Sequence, residues 1–506
     1  IIIKDRRAVV FMKYSKLHIM MRLYPRRILR SVLMVAMFVF VMLNLHILLT
    51  SQPDQLGRAN NRLYHGYGHY PDDVHVQFRQ ETQPIDPQNI EILSTRKLVI
   101  PPVEGFSTSS EKDSIHKNIN VNNVTFIMEE VHRLNKLQHI QNLPKFGLKL
   151  DSESTVIVVQ VHDRVEYLKI LLQSLRKVRN IQNVLLIISH DVYSKELNDV
   201  VETVDFCPVM QIFFPDSQQI YSNVFPGTDP RDCPRNMKKD MAIKAKCLNA
   251  LHPDKYGHYR EPKYCQAKHH WIWKLNHVFE NIKVLNGYEG MVLLLEEDYY
   301  VTEDVLTILQ MLQNIQKRDC KDCQMLVIGN YDKVQNYQLN SGKVEKSYWI
   351  SSKHNMGMVF TRKLWDQIKK CQKEFCYHDD YNWDWTIQHL SMKCIPGRIQ
   401  CLRLKATRIF HIGECGIHHK GKSCNPGEKI KKTEDLLIKN KNHMFPNILS
   451  VVGQSRFKLR DPKANGGWGD VRDQELCLKI FNTTAMYLKM IKNNMIIINC
   501  LTAIKY

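Results

Sequence analysis

Short apolar runs alternate with amphipathic stretches from about residue 155 onward, and this alternation predicts an α/β domain. The runs are continuous and rich in β-branched residues, which is typical of strands buried on both faces. The predicted strands are Thr155–Val161, Asn183–Ser189, Met210–Phe214, Met291–Leu295 and Met325–Ile328. Helical patterns mark Tyr167–Val178 and Glu303–Gln316. Strand, helix and strand at this spacing predict βαβ units and a parallel, buried sheet.

Polar side chains directly follow three of these strands. His162-Asp163-Arg164 follows the first strand, Asp191 comes after the second, and Glu296-Glu297-Asp298 follows the fourth. Ligands bind beyond the carboxyl ends of strands in open α/β sheets, so these side chains are candidates for a binding site. The sequence has neither GxGxxG nor GxxxxGK[ST]. The charge of a bound diphosphate would therefore have to be met by a metal ion or by basic side chains.

The amino-terminal part of the chain has a different pattern. The 20 residues from Ser31 to Thr50 carry no formal charge and predict one transmembrane helix. Four arginines precede this run, which predicts a cytosolic amino end and a lumenal remainder: Arg22, Arg26, Arg27 and Arg30. The predicted organisation is a cytosolic tail at 1–30, a signal anchor at 31–50, a stem at 51–120, a lumenal domain at 121–477 and a carboxyl-terminal extension at 478–506. Since Met12, Met20 and Met21 are alternative starts, the sequence leaves open whether residues 1–20 belong to the mature protein.

Composition adds a constraint on charge and on compartment. Lys and Arg total 71 against 51 Asp and Glu, and the net charge of +20 suggests an anionic partner. A membrane surface or a phosphate-bearing substrate fits, whereas a lumenal domain would not meet nucleic acid. All 14 cysteines lie between Cys207 and Cys500, which favours disulfides in an oxidising lumen over scattered buried thiols in an intracellular enzyme. Asn123 and Asn482 begin glycosylation sequons.

Two acidic clusters are candidates for chemistry. Glu296-Glu297-Asp298 could share Mg²⁺ or Mn²⁺ with substrate phosphates, and a solvated acidic turn is the alternative. The segment Asp379–Trp385 interleaves carboxylates with aromatic rings, which suits a carbohydrate, and one Asp there could be a general base. The alternative for this segment is a packed helix start with Asp at the capping positions.

Two segments that contain histidine are further candidates. Gln266–Trp273 is predicted to open a helix, which would put Lys268, His269 and His270 near the positive end of its dipole, where phosphate binds. The segment Arg408–His411 precedes four further possible metal ligands: Cys415, His418, His419 and Cys424. These four could form a structural zinc site, or the two cysteines could form a disulfide that closes a short loop.

At these segments the sequence resembles the N-acetylglucosaminyltransferase II family. The matching stretches are Phe225–Arg235, Tyr256–Glu261, Lys268–Trp271, Leu295–Asp298, His354–Gly357, Asp379–Trp385, Arg408–His411 and Asn465–Asp470. The resemblance implies a glycosyltransferase A-type fold, that is, a Rossmann-like mixed α/β sheet flanked by helices. It also implies a single-pass type II Golgi membrane protein with a lumenal catalytic domain.

The activity implied by the resemblance is an inverting transfer of N-acetylglucosamine from UDP-GlcNAc to O2 of the α1,6-arm mannose of N-glycans. The implied partners are that donor, an N-glycan acceptor and the membrane, and the implied cofactor is Mn²⁺. The oligomeric state stays open, a homo-oligomer included. The alternatives are a sibling transferase that acts on another mannose, or a catalytically silent lumenal protein that resembles a lectin.

The resemblance also implies roles for single residues. Asp298 and His411 would hold Mn²⁺, with Glu296 and Glu297 beside the metal or the nucleotide, and Asp384 would be the base. The donor would be held by Gln160, Val161, His162, Asp163, Arg164, Asp191, Gln266, Ala267, Lys268, His269 and His270. The implied disulfides are Cys233–Cys247, Cys320–Cys323, Cys371–Cys394, Cys376–Cys477 and Cys415–Cys424. Cys207, Cys265, Cys401 and Cys500 have no implied partner.

Overall fold

The computed structural model describes residues 123–414, 427–455 and 458–482, and a ten-stranded mixed sheet lies at its centre. The strands are β1 Ile140–Gln141, β2 Thr155–Val161, β3 Leu185–His190, β4 Val209–Phe213, β5 Met291–Glu296, β6 Tyr299–Val301, β7 Cys323–Val327, β8 Lys343–Tyr348, β9 Met358–Phe360, β10 Gln400–Leu404, β11 Ile409–His411 and β12 Ser450–Gln454. The large sheet has the order β1-β4-β3-β2-β5-β9-β7-β10-β8-β12, and β6 pairs with β11 in a separate small sheet.

Helices connect most of these strands. They are α1 Val124–Leu137, α2 Leu143–Phe146, α3 Val165–Arg176, α4 Lys195–Glu202, α5 Lys239–Ala245, α6 Pro262–Asn276, α7 Val305–Asp319, α8 Tyr337–Asn340, α9 Ser351–His354, α10 Arg362–Lys370, α11 Gln372–Tyr377, α12 Trp383–Lys393, α13 Gly427–Lys439 and α14 at 471–482. Short 3₁₀ turns occupy Ile181–Asn183, Lys283–Leu285 and Lys441–His443, and a π turn at His277–Asn281 extends α6.

The strands are apolar on both faces because each face is covered. Val156 and Val158 of β2 belong to one hydrophobic core, while Ile157, Val159 and Val161 belong to the other. This is the two-residue alternation of a strand placed between two layers. Residues of α6, α10, α11 and α12 fill the first core, and residues of α3, α4 and α7 fill the second. The layers are therefore helix, sheet and helix.

The predicted strands and helices are confirmed in type, with small shifts at their ends. Strand β2 has the predicted bounds, and it pairs in parallel with β3 and β5, as β3 does with β4. Strand β9, at Met358–Phe360, runs antiparallel to both β5 and β7, so the sheet is mixed. The carboxyl ends of β3, β2 and β5 consequently lie side by side, with the polar residues that follow them at one edge.

The prediction that Gln266 opens a helix is wrong. Helix α6 begins at Pro262, four residues earlier, because proline has no N–H to leave unpaired and its fixed φ suits the first turn. Lys268, His269 and His270 therefore lie in the interior of the helix and not at the positive end of its dipole.

The core continues past the predicted boundary at residue 477. Helix α14 reaches residue 482, and Ile480 and Phe481 are buried in the core that covers α6. A disulfide between Cys376 and Cys477 joins this helix to α11. The structure also contains three other pairs that the resemblance implied: Cys233–Cys247, Cys320–Cys323 and Cys371–Cys394.

Three unpaired cysteines, Cys207, Cys265 and Cys401, are buried. Asn123 and Asn482, the sequon residues, are both exposed. Across the described ranges, no helix has the length and apolar character needed to span a bilayer. The predicted anchor at 31–50, the predicted tail and stem, Cys500, and the alternative zinc site or disulfide at Cys415, His418, His419 and Cys424 all fall outside those ranges.

Candidate active site

The small sheet brings Asp298 and His411 together from distant parts of the chain. Strands β6 and β11 pair antiparallel, with His411 opposite Tyr299, and the Ile412 N–H donates to the Asp298 carbonyl at 2.9 Å. The two side chains then meet, with His411 Nε2 at 3.2 Å from Asp298 Oδ2. Backbone pairing thus places the two residues that the resemblance assigned to one metal ion.

A buried ion pair fixes the strand that carries His411. Arg408 precedes β11, is fully buried, and directs its Nε to Asp304 Oδ2 at 2.8 Å. Asp304 also accepts from the Thr302 hydroxyl and from the Phe445 N–H, which leaves its carboxylate well satisfied. The ion pair and these hydrogen bonds offset part of the cost of burying the two charges, although Arg408 Nη2 has no hydrogen-bond partner among the described residues. The first residue of the Arg408–His411 motif therefore supports the strand, and the last one faces the site.

Arg164 joins the carboxylates that follow β5. Its Nε donates to Glu297 Oε1 at 2.6 Å, and its Nη1 donates to Asp298 Oδ2 at 2.7 Å. Burial alone would raise the pKa of the Asp298 carboxyl, but the hydrogen bond with His411 and the charge of Arg164 lower it below its ordinary value. Burial raises the pKa of Glu297, although Arg164 opposes the shift. Asp298 is therefore an ionised carboxylate, as a metal ligand must be.

The donor set around Asp298 fits a hard divalent cation. Its Oδ1 is buried and has no hydrogen-bond partner among the described residues, so one carboxylate oxygen is available for coordination. A Cβ at Gly413 would lie 2.2 Å from Asp298 Oδ2, so only glycine leaves that oxygen clear. No cluster of three or more His, Cys, Asp or Glu side chains suited to a metal occurs within the described residues. An ion held by Asp298 and His411 would take its other ligands from substrate and water.

The loop after β2 is held by a buried carboxylate, Asp191. His162 Nδ1 lies 2.7 Å from Asp191 Oδ1, and Gln266 Nε2 donates to Asp191 Oδ2 at 2.9 Å. The His162 N–H donates to Glu297 Oε2 at 2.8 Å. The hydrogen bond with Asp191 is the main cause that raises the pKa of His162 to about 9. His162 is thus cationic at neutral pH, at the edge where the resemblance expects a nucleotide.

The other predicted residues of this loop differ in what they can offer a ligand. Asp163 is exposed, and Arg164 is committed to Glu297 and Asp298. Val161 is fully buried and contributes its carbonyl, which accepts from the Asp191 N–H at 3.3 Å. Gln160 is half-buried.

We expect the stabilisation that His162 provides to depend on pH. A histidine whose pKa is raised by folding stabilises the fold fully below its unfolded pKa near 6.5, and loses this contribution as the pH rises to about 9. The difference in free energy of unfolding between the wild-type protein and His162→Gln should therefore shrink over that range. Urea denaturation at several pH values measures it. His132→Gln, at an exposed position on α1, is the control, and an equal pH dependence there would contradict the prediction.

Three residues of α6 that were expected to line the donor site have their side chains inside the protein. Lys268, His269 and His270 are each at most 1% exposed. His269 Nε2 lies 3.1 Å from the Asp473 carbonyl, and His270 Nε2 lies 2.8 Å from Ser189 Oγ. Of the predicted stretch, Gln266 reaches the donor loop through Asp191, and Ala267 is half-buried. The side chains of Lys268, His269 and His270 are therefore packed inside the fold, and the donor-site role that the resemblance implied for them stays a prediction.

The acidic segment before α12 divides into structural and accessible carboxylates. Asp380 is fully buried, where its Oδ1 accepts from the Asn382 N–H and its Oδ2 from the Asn465 N–H, both at 2.9 Å. Asp379 accepts from the backbone N–H groups of Lys255 and Trp468. Both carboxylates therefore organise the loops around them.

Asp384 lies in the first turn of α12 and is half-buried. Its Oδ2 accepts from Ser351 Oγ at 2.6 Å and from Asn355 Nδ2 at 2.9 Å, and its Oδ1 accepts from the Trp385 N–H at 2.9 Å. These bonds fix the orientation of the carboxylate. Sequence reasoning gave no role to Ser351 or Asn355, although Asn355 lies in one of the stretches that carry the resemblance.

Tyr331, which sequence reasoning also missed, lines a cavity together with Met356 and His411. Burial of the hydroxyl and, after it, the negative charges of Glu296, Asp384 and Asp298 raise its pKa, although the residue as a whole is 45% exposed. Asp384 is hydrogen-bonded to Asn355, which directly precedes Met356, another residue that lines this cavity. A cavity of about 320 Å³ opens beside Tyr331 and His411. Asp298 and Asp384 are therefore each bonded to a residue that lines this cavity or directly precedes a lining residue.

Known proteins resemble the chain over this domain. The N-acetylglucosaminyltransferase II family model matches residues 128–477. A Sus scrofa protein named alpha-1,6-mannosyl-glycoprotein 2-beta-N-acetylglucosaminyltransferase is 48% identical over 347 residues, which cover 69% of this chain and 77% of that protein. The Homo sapiens protein of the same name is 45% identical, with the same coverage. Among solved structures, S. aureus TarS 1-349 in complex with UDP is 11% identical over 51% of this chain and 59% of that chain, at a TM-score of 0.28, which is too low to support an argument. By its family match and by its identity to these relatives, the chain belongs to the N-acetylglucosaminyltransferase II family.

Proposed function

We propose that this protein transfers N-acetylglucosamine from UDP-GlcNAc to O2 of the α1,6-arm mannose of N-glycans, with inversion at the anomeric carbon. Family membership supports the transfer and the acceptor arm. The observation that carries the chemistry is a shared cavity: His411 lines it and pairs with Asp298, and Asp384 is hydrogen-bonded to Asn355, the neighbour of the lining residue Met356. A base and a site for the leaving group's charge are then available around the same cavity.

Asp384 would be the general base. Ser351 and Asn355 both bond to its Oδ2, which holds the carboxylate in place while an acceptor hydroxyl gives up its proton. Inversion requires one in-line displacement at the anomeric carbon. One positioned base is therefore sufficient, and no nucleophile of the enzyme is needed.

The leaving UDP develops negative charge on its phosphate oxygens, and that charge has to be stabilised. The proposed cofactor is Mn²⁺, held by Asp298 and His411, which would act as a Lewis acid on the diphosphate. Cationic His162 lies at the adjacent loop, where it can contribute to binding the nucleotide. The mixed sheet with helices on both faces is compatible with a glycosyltransferase A-type fold, which we propose on the same basis.

Product analysis tests the proposal. The protein is incubated with UDP-GlcNAc, Mn²⁺ and a hybrid-type biantennary glycan whose two arms are distinguishable. We expect one β1,2-linked residue on the α1,6-arm mannose. Transfer to another mannose would indicate a sibling specificity, and glycan binding without transfer would indicate a silent lectin-like protein. Either result would overturn the proposal.

We further propose a type II arrangement in the Golgi membrane, with the catalytic domain in the lumen. The uncharged run at 31–50 behind four arginines supports it. In sealed microsomes the domain should resist added protease, and Asn123, which is exposed, should be glycosylated. Digestion of the domain in intact vesicles would contradict this arrangement. The same digestion after detergent treatment is the control.

A further inference from the structure

Helix α6 presents different faces to the two halves of the site. Gln266, His270 and Lys274 are spaced by four residues and share one face, whereas Lys268 and Trp271 lie on another. The first face contacts the ends of β2 and β3, through Asp191, Ser189 and Gln160. On the second face, Trp271 stacks on Trp383 with ring centroids 4.4 Å apart, next to Asp384. The helix therefore touches the donor loops and the base segment at once.

Lys268 bonds to the segment that leads into α12. Its Nζ donates to the Asp380 carbonyl at 2.8 Å and to the His378 carbonyl at 3.4 Å, and it lies 4.1 Å from the centroid of Trp468. The side chain of Asp380 then accepts from the N–H of Asn382, the N-cap of α12. Lys268 thus fixes the turn from which the helix carrying Asp384 starts.

Burying the Lys268 ammonium group is energetically unfavourable if the residue serves only to fill space in the core. It is fully buried, and every bond described for its ammonium goes to a carbonyl or an aromatic face, with no carboxylate in direct contact. Burial lowers its pKa to about 7, because the charged form is disfavoured away from water. An apolar side chain of similar length would fill the same space at lower cost. Methionine, for example, has a similar length but no N–H donor for the carbonyls of His378 and Asp380.

Lys274 makes the equivalent contact on the other face. It is also fully buried, and its Nζ donates to Gln160 Oε1 at 2.7 Å. An ammonium group can only donate, so this contact fixes which end of the Gln160 amide faces the lysine. The Gln160 NH₂ group is consequently directed away from Lys274. Gln160 lies opposite Glu296 across β2 and β5, at the edge proposed for the donor.

We propose that Lys268 and Lys274 are positioning residues for opposite halves of the site: Lys268 places the segment that carries the base, and Lys274 orients the Gln160 amide toward the donor. This inference rests on the proposed function. On this proposal Lys268 is not one of the residues that bind UDP-GlcNAc, although the resemblance implied that it is. Its ammonium group lies against the rings of Trp468 and Phe375.

The test makes the same Lys→Met substitution at both positions and measures donor binding and turnover separately. Lys268→Met should lower kcat about tenfold or more through misplacement of the base, with the UDP dissociation constant in Mn²⁺ and the donor KM changing less than threefold. Lys274→Met should raise the UDP dissociation constant and the donor KM about tenfold, with the larger part of its effect on binding. Lys317→Met, at an exposed position on α7, should change neither.

A second variant guards against loss of folding in Lys268→Met. Thr386 Oγ1 also approaches the Asp380 carbonyl, at 3.4 Å, and donates to the Asn382 carbonyl at 2.9 Å. Thr386→Val should lower kcat with UDP affinity unchanged, and Thr386→Ser should restore it. Thermal unfolding of every variant identifies effects that come from stability alone.

The outcomes distinguish this inference from the proposed function. If the wild-type protein transfers no N-acetylglucosamine, the proposed function fails. If the wild type is active but Lys268→Met weakens UDP binding as much as it lowers kcat, Lys268 is a donor ligand and the inference is wrong. Identical patterns in Lys268→Met and Lys274→Met would also overturn it, because the two faces would then have no separate roles.

Discussion

Replacing Asp384 with asparagine should lower kcat by about 10²–10⁴-fold, the usual cost of removing a general base. Asparagine has nearly the same size and retains one acceptor oxygen toward Ser351 and Asn355. It cannot take the proton from the acceptor hydroxyl. Because the loss occurs in the transition state, donor KM and UDP affinity should be largely unchanged. Steady-state kinetics with UDP-GlcNAc, combined with calorimetry of UDP binding, measures both quantities.

Asp379 and Asp380 provide the control for that prediction, since either could be the base on sequence grounds. Each carboxylate is instead committed to backbone N–H groups. Asp380→Asn should therefore act mainly on stability, because one of its buried contacts is lost or reversed. If Asp384→Asn retains near-normal kcat while Asp379→Asn or Asp380→Asn loses it at unchanged stability, Asp384 is not the base.

The second large effect is expected at the metal pair. Asp298→Ala or His411→Ala should abolish the Mn²⁺-dependent part of UDP binding, because either change removes one of the two proposed ligands and leaves the diphosphate charge under-compensated. Calorimetric titration of UDP with Mn²⁺ and with EDTA measures this part directly. It gives a readout that does not depend on turnover.

Two comparisons make the metal prediction specific. Asp298→Asn keeps the shape of the side chain and removes its charge, so it should weaken metal-dependent binding while preserving the fold. Gly413→Ala should also weaken it, because the added Cβ would lie against Asp298 Oδ2. Unchanged UDP affinity in Mn²⁺ for both alanine variants would mean that the metal is held elsewhere or is not used.

The sequence alone determined the parts of this fold that depend on local pattern. Strand β2 could be bounded correctly because Thr155–Val161 is continuous and β-branched, and such a run is stable only when covered on both faces. The polar residues after β2, β3 and β5 could be grouped because parallel strands end at the same edge. The four disulfide pairings and the proposed role of Asp384 came from the resemblance, and neither could be derived from local physics.

Tertiary structure decided which side chains face the site and which support it. Local pattern treated Lys268, His269 and His270 as one phosphate-binding group, but their direction depends on where α6 starts and on what packs around it. Asp379, Asp380 and Asp384 look alike in sequence, and only the loops carrying Lys255, Asn465 and Trp468 distinguish the structural pair from the accessible carboxylate.

The same is true of the residues that sequence reasoning missed. Ser351 and Asn355 acquire their roles through hydrogen bonds to Asp384, and Tyr331 acquires its role through the cavity that it lines with His411. Each of these partners is distant in the chain. The sequence determined where strands end, since hydrophobic periodicity is a local property. It did not determine how Asp298, His411 and Asp384 come together, because that depends on the β6–β11 pairing and on the packing of α6 against α12, which bring distant segments into contact.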